Sequence, residues 1–283
     1  METISENKIK ELEIKANGIR KSIIEMLYEA SSGHTAGALG MTDIFTFLYF
    51  NALNHKPENP TWAERDRLVL SNGHICPVLY ATMAHAGYFK IDELKTLRKF
   101  GSRLQGHPHR NFLSILETSS GPLGEGLSQA VGMAIASKME RGVDRIIYCI
   151  VGDGELNEGQ NWEAIMLASK EKLDNLIIIV DRNFIQLDGS TEIIMPLGDL
   201  VSKFKSFDLN VMQINGNSMR EINNAIYNSK NEKNKPSVII AKTIPSKGVK
   251  EWEGNYKWHG KTPNKEEMEM AINELNILGD KLK

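Results

Sequence analysis

The sequence predicts an α/β fold: a doubly wound, mostly parallel sheet flanked by helices. Three observations predict it. Apolar runs of strand length stand at 68–70, 146–151, 176–180, 211–214 and 237–242. Several of them are separated by stretches with helical character, the alternation that builds a parallel sheet. Two runs then lead into turn chemistry, Gly152-Asp153-Gly154-Glu155 after one and Asn183-Phe184 after the other.

The elements follow in order. Residues from about 6 to 29 repeat apolar side chains at helical spacing (Ile9, Leu12, Ile19, Ile23, Ile24, Leu27) and should pair with a helical stretch at 41–53. A glycine loop, Ser119 to Gly126, precedes a helical run from Leu127 to Met139. Arg145 to Val151 reads as a strand, Asn161 to Ala168 as a helix, and Leu176 to Val180 as the next strand. Segment 186–202 has turn residues and little period, so it reads as loop. Asn264 to Leu278 is helical, with Met268, Ala271, Ile272 and Leu275 on one face, and Lys281 to Lys283 forms a polar tail. An end placed just after a helix reads as a finished chain.

Bulk properties narrow the class. A chain of 283 residues suits one large domain spanning 1–283, and its 41% apolar and 25% charged residues are ordinary for a soluble protein. A net charge of -2 points to neither nucleic acid nor an anionic membrane as partner. No run approaches the roughly 18 apolar residues of a spanning helix, and the amino terminus is not a signal peptide. Cys76 and Cys149 lie in apolar stretches and read as packed thiols of a reducing compartment, so cytoplasm is the expected location.

The most informative segment runs from Gly152 to Asn183. Two neighbouring parallel strands would deliver Asp153 and Asn183 to one sheet edge, where open α/β sheets bind ligands. One carboxylate and one amide oxygen suit Mg²⁺, which completes its octahedron with substrate phosphates. An ordinary glycine turn is the plainer reading. An EF-hand fails on spacing, because Glu158 falls where glycine is needed. In the loop before the 127–139 helix, Gly121, Gly124 and Gly126 give G-x-x-G-x-G, the wrong order for a dinucleotide fingerprint. Glycines at a helix start nevertheless let backbone amides approach an anion. Of seven histidines, His34, His74, His107 and His259 each follow a glycine or tryptophan. Neutral imidazole can exchange protons near pH 7. A zinc site at His107-Pro108-His109 lacks a cysteine or acid at ligand spacing.

These blocks together resemble the transketolase family. Its signature is similar to Ser32-Gly33-His34 with Leu39-Gly40-Met41-Thr42-Asp43, and to Arg65-Asp66-Arg67 leading to Ser71-Asn72-Gly73-His74. Gly106-His107-Pro108, Ser120 to Gly126, Lys242-Thr243, Lys247-Gly248-Val249 and Trp258 to Asn264 complete the series over roughly residues 10 to 270. The resemblance implies a thiamine diphosphate fold and transfer of a two-carbon ketol unit from a ketose phosphate to an aldose phosphate. It implies that Asp153, Asn183 and the Ile185 carbonyl hold Mg²⁺, with Ca²⁺ or Mn²⁺ as substitutes. His74, Gly121, Pro122, Leu123, Gly152, Gly154, Glu155, Glu158, Asn183 and His259 are the implied cofactor contacts, Leu123 against the aminopyrimidine and Glu158 in a subunit-bridging network. His34, His107 and His259 are the implied catalytic residues.

Departures from the family pattern are Thr35 and Ala38 where prolines are usual, and Phe184 where a histidine often follows the asparagine. In transketolases the glutamate that activates the cofactor lies on a pyrimidine-binding domain, and a C-terminal domain follows it. Neither fits in this length. The expectation is therefore an N-terminal subunit whose partner, a chain of about 300 residues, completes an α₂β₂ enzyme. Alternatives are an enzyme for a branched sugar or a sulfosugar, the α subunit of a 2-oxo acid dehydrogenase, a deoxyxylulose-phosphate synthase, or a silent regulatory subunit.

Overall fold

The computed structural model describes residues 4–140 and 144–282. Its centre is a five-stranded sheet in the order β1 (Arg67–Leu70), β2 (Ile147–Gly152), β3 (Leu176–Arg182), β7 (Ser237–Lys242) and β6 (Asn210–Asn215), and every pairing in it is parallel. Alternate residues of each strand feed opposite cores. Tyr148, Ile150, Ile177 and Ile179 point into one, while Ile147, Cys149, Ile178 and Val180 point into the other. Burial on both faces is why these strands read as unbroken apolar runs. On the first face lie α1 (Glu6–Ala30), α2 (Ala36–Gly40), α3 (Thr42–Phe47), α4 (Cys76–His85), α9 (Met219–Asn231) and α10 (Lys265–Leu282). On the second lie α5 (Glu125–Met139), α6 (Gly159–Lys170) and α8 (Leu200–Ser206). The doubly wound expectation is met.

Some elements differ from the sequence reading. The strand expected from Arg145 begins at Ile147, and the 41–53 helix ends at Phe47 and continues as a π turn over Leu48–Ala52. The expected loop 186–202 is partly ordered. Ile185–Gln186 (β4) pairs antiparallel with Gly189–Ser190 (β5), followed by α7 (Thr191–Ile194) and the start of α8. Here backbone pairing and the Ser190 and Asp199 side-chain caps set structure that carries no apolar period. The final helix absorbs Lys281 and Leu282 of the expected tail, and Lys283 lies outside the described residues. Helix α4 is apolar nearly all round, so no amphipathic stripe announced it.

Close approach explains two glycines. A Cβ on Gly126 would come within 2.5 Å of Ser71 Cβ, so the start of α5 can lie directly on the end of β1. Gly124 caps α5 with φ 89°, in the left-handed region that favours glycine. Among the described residues, no helix is long and apolar enough to cross a membrane.

Candidate active site

The register of β2 against β3 pairs Gly152 with Asp181, which sets Asp153 and Asn183 side by side at the carboxyl edge of the sheet. They open onto a cavity of about 410 Å³. Its walls come from every block singled out in the sequence: His34 and Asn72 with His74, then His107, Gly121 and Leu123, then Gly152 to Glu155, Asn183 and Ile185, and finally His259. Gln186, Leu187 and Asp188 complete it. Pro122 and Glu158 are exposed and stand outside this lining, a correction to their expected place on the cofactor. The glycine loop turns Pro122 to solvent, and the 3-10 turn Gly154–Asn157 carries Glu158 away from the mouth.

Asp153 is buried. Its Oδ1 accepts the Gly154 N–H (2.8 Å), while Oδ2 accepts the Phe184 N–H (2.8 Å) and the Arg182 guanidinium (3.0 Å). Burial pushes its pKa up against these partners. Asn183 donates through Nδ2 to Asp181 Oδ2 (2.8 Å), which fixes the amide so that Oδ1 takes the other side and accepts the Ile185 N–H (3.0 Å). Asp181 is fully enclosed and also receives the Thr243 hydroxyl. Burial, with Asp153 nearby, holds its carboxyl up at about 7.

Glu155 has its carboxylate engaged by the protein itself. Oε1 accepts the Ser71 hydroxyl and the Gly124 N–H (2.7 Å), and Oε2 accepts the Gly152 N–H (3.0 Å). It stitches the glycine loop, the end of β1 and the Gly152-Asp153-Gly154 turn together.

On the far wall, the rings of His34, His74 and His259 form a triangle with centroids 5.0, 5.2 and 5.7 Å apart. Burial, with His259, Arg98 and His107 as neighbours, holds His34 down at about 4. Burial likewise lowers His74, His107 and His259. At neutral pH the triangle is a set of uncharged imidazoles, able to accept a proton from a hydroxyl or return one. Thr35, where the family pattern has proline, is buried and donates its hydroxyl to the Lys261 carbonyl (2.5 Å), tying the His34 turn to the segment after His259.

The pKa of His34 has a measurable sign. Above pH 6.5 the imidazole is neutral whether folded or unfolded; between 6.5 and about 4 only the unfolded chain takes up its proton. The stability advantage of wild type over His34→Gln should therefore shrink by about 1–2 kcal/mol as pH falls from 7 to 4.5. Urea melts of both proteins across this range test it, and a constant difference would refute a depressed His34.

Residues that sequence reasoning passed over are Asn72, Arg98, Asp181 and Arg182. Asn72 lines the cavity, and Arg98 donates to Ser32 Oγ (2.9 Å) and the Gly106 carbonyl (3.3 Å), joining two histidine-bearing loops. Asp181 and Asn183 share a strand face by period two, a signal available in the sequence once the strand is extended past Val180.

The family described as "Transketolase, thiamine diphosphate binding domain" matches residues 12–279. The chain belongs to the transketolase family. Among its transketolase relatives, a 6-deoxy-6-sulfo-D-fructose transketolase subunit of Clostridium sp. is 41% identical, the match covering 98% of this chain and 100% of the relative. One of the two subunits of this kind from Phocaeicola vulgatus and Actinobacillus succinogenes, the apulose-4-phosphate transketolase subunit of the former, is 38% identical, with 97% of each chain covered. The transketolase of Pichia stipitis, solved in complex with sedoheptulose 7-phosphate, superposes with a TM-score of 0.89 at 30% identity over 94% of this chain and 41% of that one. The chain thus spans less than half the length of this solved transketolase, and nearly the whole length of the Clostridium and Phocaeicola subunits.

Proposed function

We propose that this chain is the diphosphate-binding subunit of a two-chain transketolase. With Mg²⁺, thiamine diphosphate and a companion chain of about 300 residues bearing the pyrimidine-binding domain, it would move a two-carbon ketol unit between sugar phosphates, as an α₂β₂ enzyme of the cytoplasm. The observation that carries the reading is one cavity joining Asp153 and Asn183 at paired strand ends to three uncharged histidines. The end-to-end likeness to chains named as transketolase subunits supports the division into two polypeptides. So does exposed apolar surface beside the cavity: Leu187, Ile193 and Met195 are each more than half exposed, as a docking face requires. The two free buried cysteines suit a reducing compartment.

The residues fit the cofactor. His34 Nδ1 and Asn72 Oδ1, both on cavity-lining side chains, are buried without a protein partner. A Cβ on Gly154 would stand 3.0 Å from Gln186 Oε1, so glycine keeps the turn open to a bulky anion. Asp153 Oδ1, Asn183 Oδ1 and the Ile185 carbonyl are hard oxygens of the kind Mg²⁺ takes together with phosphate oxygens. Among the described residues, no three His, Cys, Asp or Glu side chains converge as a metal cage, so phosphate oxygens have coordination positions left to fill.

Thiamine diphosphate supplies, when bound, the carbon nucleophile and the electron sink for carbon–carbon cleavage. This chain's residues do the rest. Asp153, Asn183 and Ile185 hold the cation; Gly121, Gly152 and Gly154 admit the cofactor, and Leu123 offers it an apolar face. His34 and His259 contact phosphate and donor hydroxyl and take the hydroxyl proton as the bond breaks. His74 and His107 hold sugar hydroxyls.

The test is co-expression with the companion chain, sought in the neighbouring reading frame, and assay with fructose 6-phosphate, 6-deoxy-6-sulfofructose and apulose 4-phosphate as donors. The last two appear in the names of the full-length relatives. Metal- and cofactor-dependent transfer by the pair, with none by either chain alone, is expected. Transfer by this chain alone would overturn the two-chain reading.

A further inference from the structure

Arg182, the last residue of β3, is buried, and its guanidinium is fully committed. It donates to Asp153 Oδ2 (3.0 Å), Thr191 Oγ1 (3.0 Å) and Glu192 Oε1 (2.5 Å), and its Cζ lies 4.0 Å from the centre of the Phe184 ring. The ring sits on a backbone with φ 63°, so a left-handed residue and a stacked aromatic together hold the arginine in place. Of the four lone-pair positions on the Asp153 carboxylate, the two backbone N–H groups and the arginine fill three. One position on Oδ1 is left. The arginine also cancels the carboxylate's charge, and Asn183 and the Ile185 carbonyl bring none. Asp181 stands behind Asn183, its oxygens given to Thr243 and the Asn183 amide.

We propose that Arg182 makes capture of the divalent cation conditional on the diphosphate. It is a positioning residue: it holds Asp153 with one Oδ1 lone pair presented and removes the net negative charge that would draw a bare cation. The anionic diphosphate then supplies the missing charge and oxygens, so metal and diphosphate enter together. This rests on the metal–diphosphate reading of the cavity.

Equilibrium dialysis of the full chain tests it, counting Mn²⁺ retained per chain with the metal alone and with metal plus inorganic pyrophosphate. Wild type and Arg182→Lys should retain Mn²⁺ only with pyrophosphate. Arg182→Met and Arg182→Gln should retain it in both conditions, binding bare Mn²⁺ at least ~10-fold more tightly than wild type. The glutamine variant keeps an N–H donor for Asp153 and carries the test if the methionine variant fails to fold. Equal retention of bare Mn²⁺ by wild type and the neutral variants overturns the role of Arg182 and leaves the site reading standing. No retention by any of them in either condition overturns the site reading and the inference with it.

Discussion

Asp153→Ala should abolish metal-dependent binding of thiamine diphosphate and lower two-carbon transfer by the two-chain enzyme at least ~10³-fold, about 4 kcal/mol of transition-state stabilisation. Asp153 is the carboxylate at the paired strand ends that lines the cavity with a lone pair left for a cation, and neither Asn183 nor a backbone carbonyl can replace its charge. The same change strands the buried Arg182 guanidinium, a loss of about 3–5 kcal/mol in folding stability. Asp153→Asn separates the two effects, since its amide oxygen can still accept the Phe184 N–H. Calorimetry with Mg²⁺ and thiamine diphosphate, run beside thermal melts, gives both quantities. A folded Asp153→Asn enzyme with wild-type metal-dependent affinity would remove Asp153 from the site.

The second large effect concerns stability. Glu155→Ala leaves the Ser71 hydroxyl and the Gly124 and Gly152 N–H groups without their acceptor in a buried position. At about 1–3 kcal/mol for each unsatisfied group, some of which water can relieve, a loss of about 3–5 kcal/mol is expected. For a chain of this size that lowers Tm by roughly 10 °C. Glu158→Ala, three residues on and exposed, should stay within about 0.5 kcal/mol of wild type in the isolated chain. Scanning calorimetry of the two variants side by side decides it; equal melting temperatures would mean that the carboxylate does not hold the turn.

The contrast between Glu155 and Glu158 shows what was legible in the sequence. The strands, the helices before and after Gly152-Asp153-Gly154, and the meeting of Asp153 with four histidines all follow from apolar runs and from blocks with distinct composition. Those are properties of the chain itself. The division of labour between the two glutamates is not, because it depends on which donors surround each carboxylate after folding. Asp181 and Arg182 were hidden for the same reason: their partners Thr243 and Thr191 lie on other elements. The short β4–β5 hairpin escaped notice because two-residue strands hold too few side chains to show a period.

The histidine triangle has one more consequence. With rings only 5.0–5.7 Å apart, a proton placed on any one of them raises the cost of a second. The three therefore act as a single acid with one readily filled seat. A titration curve measured on the folded protein describes the trio, and its midpoints belong to no individual ring. A hydroxyl that gives up its proton anywhere along this wall meets the same shared acceptor, so a sugar can shift by a hydroxyl's width and still find a base.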